Sequence, residues 1–512
     1  MTKPFYITTP IYYVNDEPHL GHAYTTILAD ALARFARLRG AEVFFLTGTD
    51  EHGQKVQDAA RARDIDEKTH VDEMVTRFRT LWQELHVDYQ DFIRTTEPRH
   101  VRTVQTVLQR LWDKGEIYKD AYKGWYCIPD ERFWTEKDLV DAKCPDCGRP
   151  VTLISETNYF FRMSAYQEWL IDYINEHPDF IQPETRRNEV LGFLQQPLGD
   201  LCISRPKSRL SWGIPLPFDE DYVTYVWFDA LLNYITAPGY LDDADRFAHL
   251  WPHALHLIGK DILTTHCVYW PTMLKAAGLT PPHTILAHGW WVIQGTKMSK
   301  SRGNVVKPLD LARTCGVDAF RYFLLRDMTL GRDADFGEEG LIQRYAGDLA
   351  NDLGNLLNRL VNMIERYCDG HIPEPQTPHI NGTILREQCQ ASVPRALSQV
   401  ERFQLNQALM NVMNCVRNVN SYLEQTAPWS LAKQKGRQKE IDTILYTAAE
   451  ALRIASVLLW PVMPERMAKL WQQLGWQPPQ PLRAGLKWGG LQPGTAVAPG
   501  APLFPKDIIE SL

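Results

Sequence analysis

Residues 5–52 read FYITTPIYYVNDEPHLGHAYTTILADALARFARLRGAEVFFLTGTDEH. The opening run, Phe5 to Tyr13, is mostly aromatic or β-branched and predicts a buried strand. A polar turn, Asn15–Pro18, follows. From Leu20 onward Ile27, Leu28, Ala31, Leu32 and Phe35 recur at helical spacing, and Gly40 closes the segment. The stretch EVFFLTGTD, ending at Asp50, predicts a second buried strand. Strand, helix and strand in so short a span form a parallel βαβ unit. Ligands of such sheets gather at the carboxyl ends of the strands, here Pro10–Tyr13 and Thr47–His52.

Working outward, residues 1–115 are expected to be the first half of a nucleotide-binding catalytic domain. Residues 116–215 break the alternation, bring in Cys127, Cys144 and Cys147 with many aromatics, and read as an inserted connective domain. Residues 216–290 resume strand-to-helix alternation as the second half, and 291–345 form a connecting segment. Across 346–475 three apolar stripes at helical spacing run through Leu349–Ile364, Leu405–Val419 and Ile441–Ala455, which predicts a helix bundle. Residues 476–512 are rich in Pro and Gly and read as an extended tail. The expected fold class is α/β, a split Rossmann-type parallel sheet with a zinc-knuckle-like insertion, followed by an all-α bundle.

Composition narrows the function. The 512 residues are 44% hydrophobic and 23% charged, with 55 Lys+Arg against 62 Asp+Glu, a net charge of −7. That is a globular profile and excludes a disordered chain. Apolar runs are too short to span a bilayer, so no membrane association is expected. No secretion signal is read at the N-terminus, and nine cysteines are few and odd in number. Both point to a cytoplasmic protein whose cysteines hold metal rather than disulfides. Any nucleic acid must be held by local basic patches.

Two short motifs carry phosphate chemistry. Pro18-His19-Leu20-Gly21-His22 lies where a strand gives way to a helix, and a helix N-terminus offers free N–H groups to an anion. Gly21 permits close approach, and His19 and His22 share one side of the first turn. The same pattern also suits simple capping histidines. The second motif, Gly295-Thr296-Lys297-Met298-Ser299-Lys300-Ser301-Arg302-Gly303-Asn304, packs cationic donors into a Gly-bounded loop suited to a triphosphate, or to a solvated basic loop.

Taken together, HLGH and KMSKS resemble the paired signature of class I aminoacyl-tRNA synthetases, and the methionyl-tRNA synthetase family most closely. The resemblance runs from about residue 4 to about residue 470. Further strings that carry it are TGTDEHG, VWFDALLNY, IGKDI, HGWWVIQGTKMSKSRGNVV and TAPW. It implies a methionine–tRNA ligase that forms methionyl-adenylate and pyrophosphate, then passes methionyl to the 3′ end of tRNA(Met). His19, His22, Lys297 and Lys300 would be catalytic. ATP, with Mg²⁺, would meet His19, Gly21, His22, Gly259, Asp261, Lys297, Ser299 and Lys300. Asp50 would face the α-ammonium of L-methionine, although Thr49-Asp50-Glu51-His52 also suits a helix cap. Ile11, Tyr13, Trp227, Ala230, Leu231, Tyr234, His266 and Trp270 would line the side-chain pocket. Aromatic edges favour a polarisable thioether, although aromatics also pack cores.

The resemblance also implies one structural Zn²⁺ per chain on Cys127, Asp130, Cys144 and Cys147, since C-x-x-C wraps one edge of a zinc tetrahedron. Asn355, Arg359 and Trp429 match the family's anticodon-reading positions, where unpaired bases stack on aromatics and bond to Arg or Asn. A monomer is expected.

Overall fold

The computed structural model describes residues 3–127, 132–134, 136–145, 147–293, 295–297, 307–377 and 379–511. Its centre is a seven-stranded parallel sheet. The first half of the chain supplies β1 (Phe5–Thr8), β2 (Tyr12–Tyr13), β3 (Val43–Asp50) and β4 (Asp91–Arg94). The second half supplies Ala254–Gly259 and Thr284–His288. These strands are buried on both faces, which is why they read as nearly continuous apolar runs.

Register follows from the pairings. Phe5–Thr8 lie opposite Val43–Leu46 on β3, and Tyr12 and Tyr13 lie opposite Thr49 and Asp50. Between these pairs the chain carries one residue more than β3, so β2 extends β1 after a local kink. β1 also pairs with Ala254–Gly259, Tyr6 opposite Ala254 and Thr8 opposite His256. From β1 the crossover through α1 (Leu20–Leu38) leads to β3 on one side. From Ala254–Gly259 the crossover through helix Trp270–Ala277 leads to Thr284–His288 on the other. The strand order therefore reverses between β1 and Ala254–Gly259, and a crevice opens at the carboxyl ends there.

The stretch 116–215 builds an antiparallel sheet ordered Arg132–Trp134, Ile117–Cys127, Thr152–Phe161, Leu201–Cys202. Part of it returns to the main sheet: Ile181–Gln182 pairs in parallel with Ile285 and Leu286 as an edge strand. Two residues are too short a run to read as a strand from sequence.

Beyond residue 337 the chain is helical. A π-helical segment, Arg344–Gly354, runs into Asn355–Tyr367, followed by Ile380–Glu401, Leu405–Thr426, Gln438–Leu459 and Pro464–Gln473. Arg321 fastens this region to the sheet. Its buried guanidinium donates to Asp30 Oδ2 on α1 (2.5 Å), to the Leu85 carbonyl (3.0 Å) and to the Val462 carbonyl (2.8 Å).

The segment read as an extended tail is irregular but packed. Buried Glu450 accepts backbone N–H bonds from Gly490 (2.7 Å) and Leu491 (3.1 Å) and pairs with Arg453 (2.6 Å). Arg453 in turn donates to the carbonyls of Gly485 and Lys487. The bundle thus leaves a buried ion pair whose remaining valences the tail fills. Among the described residues no helix is long and apolar enough to cross a membrane.

Candidate active site

The crevice at the strand reversal is a cleft of about 280 Å³. His19, Gly21 and His22 line it from the start of α1, Ile11 and Tyr13 from the end of the β1–β2 ribbon, and Asp50 from the end of β3. Trp227, Ala230, Leu231 and Tyr234 form the opposite wall, Gly259 comes from the end of the strand beyond the switch, and Asp261 and His266 come from the helical turns that follow it. Residues more than 200 positions apart in sequence meet because β1 and Ala254–Gly259 are hydrogen-bonded neighbours.

The two motif histidines contact each other directly. Their rings stack with centroids 3.8 Å apart. The Gly21 N–H donates to His19 Nδ1 (3.1 Å) and the His19 N–H donates to His22 Nδ1 (3.2 Å), so both also cap α1. A ring nitrogen that accepts carries no proton, and the single proton of each neutral imidazole therefore sits on Nε2. Burial, then the neighbouring His19, hold the His22 pKa well below its usual 6.5. His22 is a neutral Nε2–H donor at physiological pH. A Cβ on Gly21 would stand 2.9 Å from His19 Cε1, so glycine is needed for the histidine pair as well as for ligand approach.

Across the cleft, Tyr234 is buried and held from three sides. Its ring stacks on His256 with centroids 4.1 Å apart, its carbonyl accepts from Tyr6 Oη (2.7 Å), and its Oη meets His266 Nε2 (2.8 Å). His266 Nδ1 faces the Ile262 carbonyl at 3.0 Å and must donate there, so its Nε2 accepts from the tyrosine hydroxyl. Burial pushes the His266 pKa down to about 4, which keeps this arrangement neutral. Trp270 does not reach the cleft. It is buried behind Tyr234 and donates from Nε1 to His256 Nε2 (3.2 Å).

At the far end of the cleft, Gly259 lets Asp261 fold back over the strand terminus, since a Cβ there would stand 2.5 Å from Asp261 Oδ1. Trp290 Nε1 donates to the same oxygen (3.2 Å), and Lys260 lies 4.1 Å over the Trp290 ring. The backbone of Lys297 pairs with Val292, two residues after Trp290. The Lys297 side chain, Ser299 and Lys300 lie outside the described residues. Sequence reasoning missed Trp290, Thr25, His288 and Asn233, all of which line the cleft. Thr25 on α1 and His288 at the end of strand Thr284–His288 bond to each other (2.8 Å). Each sits inside a quoted string, which was the available signal.

In the insertion, the sulfurs of Cys127, Cys144 and Cys147 lie within 4.8 Å of one another, those of Cys127 and Cys147 at 3.5 Å. Sulfurs on one tetrahedral zinc at about 2.3 Å would be roughly 3.8 Å apart, so the three fit one ion. The Gly148 N–H donates to the Cys144 carbonyl (2.8 Å), closing the tight turn of a C-x-x-C knuckle. Asp130, expected as the fourth ligand, lies outside the described residues.

In the bundle, the Arg359 guanidinium lies 5.6 Å from the Trp429 ring centroid and pairs with Glu424 (2.6 Å). Asn355 sits one turn before Arg359 on the same helix, Asn355–Tyr367. The three anticodon candidates therefore share one neighbourhood of the surface.

Comparison with known proteins places the chain in a family. The family model for class I tRNA synthetases of the M type matches residues 5–152 and 137–361. The methionine–tRNA ligase of Caldanaerobacter subterraneus is 48% identical over all of this chain and 80% of its own length. That of Synechocystis is 44% identical over 98% of this chain and 97% of its own. The solved Mycobacterium tuberculosis methionyl-tRNA synthetase in complex with methionyl-adenylate superposes with a TM-score of 0.95 at 41% identity, covering 99% of this chain and 100% of that one. The apo form of the same enzyme gives 0.87 at 39% identity, covering 99% and 98%. With a family model that matches most of the chain and relatives aligned along its whole length, the chain belongs to the methionine–tRNA ligase family of class I aminoacyl-tRNA synthetases, enzymes that activate methionine as its adenylate and transfer it to tRNA.

Proposed function

We propose that the cleft takes ATP at its His19–His22–Asp261 end and L-methionine at its Asp50–Tyr234 end. The observation that carries this reading is the meeting of both sets in one crevice at the strand reversal. The methionine carboxylate attacks the α-phosphorus, an in-line displacement that breaks the bond to the β-phosphate oxygen and releases pyrophosphate. The Nε2–H groups of His19 and His22 donate to the phosphate oxygens as charge builds there, and they need no proton transfer to do so. Lys297, Ser299 and Lys300 hold the β- and γ-phosphates, and Mg²⁺ entering with ATP would neutralise part of their charge. Asp261 accepts from the ribose hydroxyls. Asp50 pairs with the α-ammonium, and Ile11, Tyr13, Trp227, Ala230, Leu231 and Tyr234 enclose the thioether, with His266 orienting the Tyr234 hydroxyl and Trp270 backing the wall. In the second step a hydroxyl of the tRNA 3′-terminal ribose attacks the adenylate carbonyl and AMP leaves.

The proposed division of labour follows the chain. Residues 1–115 and 216–290 form the catalytic halves, 116–215 the inserted domain, 291–345 the motif-bearing connector, 346–475 the anticodon domain and 476–512 the tail. Amino-acid-dependent ATP–pyrophosphate exchange run against all twenty amino acids tests the reading. Methionine should stand alone, and a profile led by another amino acid would overturn it.

Trp429, with Asn355 and Arg359, reads the CAU anticodon by stacking and base-edge bonds. Base–aromatic stacking contributes about 1–3 kcal/mol. Trp429→Ala should therefore cut kcat/KM for tRNA charging by roughly ten- to a hundredfold while pyrophosphate exchange stays at the wild-type level. Equal loss in both assays would contradict the assignment.

Cys127, Cys144 and Cys147, with Asp130 as fourth ligand, would hold a Zn²⁺ ion whose role would be to steady the insertion. Purified protein should contain one zinc per chain, and Cys144→Ser should lose most of it. Metal analysis giving markedly less than one equivalent in the wild type would end the idea.

A further inference from the structure

We propose that Asp229, His52 and His100 form a positioning staple that fixes the spacing between the amino-group end and the side-chain end of the methionine pocket, and so sets which side-chain lengths are accepted. This rests on the pocket roles proposed above. No substrate atom is asked to touch the three residues.

The end of β3 sends three successive side chains in three directions. Asp50 faces the cleft. Glu51 is fully buried and accepts from Thr49 Oγ1 (2.7 Å), Arg94 Nε (2.6 Å) and Thr96 Oγ1 (2.6 Å), which anchors the turn. His52 crosses to the opposite wall, where its Nδ1 lies 2.7 Å from Asp229 Oδ2. Asp229 directly precedes Ala230 and Leu231 on the short helix Val226–Leu231. A single hydrogen bond therefore joins the two backbone segments that carry the proposed ammonium partner and the proposed thioether wall.

The second carboxylate oxygen is engaged from the same side. His100 Nε2, on helix Pro98–Asp113, lies 2.7 Å from Asp229 Oδ1. Asp229 and His100 are fully buried and His52 nearly so. An ionised carboxylate only accepts, so both imidazoles donate. Burial raises the Asp229 pKa, but the two histidines outweigh it and leave the carboxyl below its usual value. Both partners come from the first half of the chain, so the wall built by the second half cannot slide without breaking a buried charged bond.

Magnitudes argue for positioning rather than stability. Exchanging a buried ionic cluster for well-packed apolar groups is often neutral or stabilising by about 1–4 kcal/mol, whereas its directional bonds define one geometry. A pocket that must distinguish ligands one methylene apart has only about 1–3 kcal/mol to work with. Loosening the wall by a fraction of an ångström would consume that margin.

The test compares methionine with ethionine, one methylene longer, in ATP–pyrophosphate exchange. In Asp229→Asn the methionine KM should rise about tenfold, with kcat and the ATP KM within about threefold of wild type, and the methionine-over-ethionine ratio of kcat/KM should fall about tenfold. His100→Ala should behave alike, and His100→Gln, which keeps a donor near the same place, should restore most of the selectivity. If Asp229→Asn does not fold, the His100 pair makes the same comparison. An unchanged ratio in folded variants, or methionine and ATP KM rising together, would overturn the staple. Failure of the wild-type chain to prefer methionine in exchange would instead overturn the pocket reading on which the staple rests.

Discussion

Replacing His22 with alanine should lower methionine-dependent ATP–pyrophosphate exchange by two to three orders of magnitude, mostly in kcat. The expectation comes from where its proton sits. His22 Nδ1 is occupied by the His19 N–H, and the pKa is held well below 6.5, so the ring presents a fixed, neutral Nε2–H to the cleft. A donor aimed at charge that develops only in the transition state typically contributes about 10²–10³ in kcat. Gln, which can place an amide N–H near the same point, should recover part of the loss, and the methionine KM should move little. Wild-type exchange in the alanine variant would remove the histidine from the reaction. Because the two imidazoles also cap α1, His19→Ala should show a similar loss together with a small drop in thermal midpoint.

Asp50→Asn should act on the other substrate. The carboxylate is 2% exposed at the end of β3, inside the cleft. Removing its charge while an ammonium must still be buried costs about 2–4 kcal/mol, so kcat/KM for methionine should fall roughly thirty- to a thousandfold. ATP affinity should stay within a factor of about three. Isothermal titration with methionine alone separates the cases: lost binding is expected, and tight methionine binding by the variant would show that the ammonium is held elsewhere.

What the sequence made legible follows physical signal strength. The strand–helix–strand opening was visible because burial on both faces writes long apolar runs, and the motif histidines sit at the strand-to-helix junction where a helix N-terminus must lie. Helices such as Leu405–Thr426 were visible because Leu405, Leu409, Val412, Val416 and Val419 repeat along one face. Helix Ile380–Glu401 was not. Its apolar residues form no clear stripe, Ile380 and Ile384 point to solvent, and Pro394 lies within it, so local chemistry argues against a helix that tertiary packing nevertheless stabilises.

The site divides in the same way. Ile11, Asp50, Trp227 and Tyr234 were reached through quoted strings, and the sheet topology brings them into one cleft. Trp270 lies outside those strings and faces His256, following the π-helical turn Thr265–Tyr269. Asp229 showed nothing in the sequence beyond a carboxylate in VWFDALL, since its two histidine partners lie 177 and 129 positions away.

The packing of residues 485–491 beneath the bundle bears on how the chain can be dissected. A fragment trimmed after the last long helix would keep Glu450 and Arg453 but lose the peptide groups that solvate them in the interior. The Glu450–Arg453 pair would then lack the partners that complete its hydrogen bonding, at a cost to the bundle. Minimal fragments made for screening or crystallisation should accordingly retain everything through Leu491, and a marker or fusion partner belongs beyond that point rather than at the end of the helices.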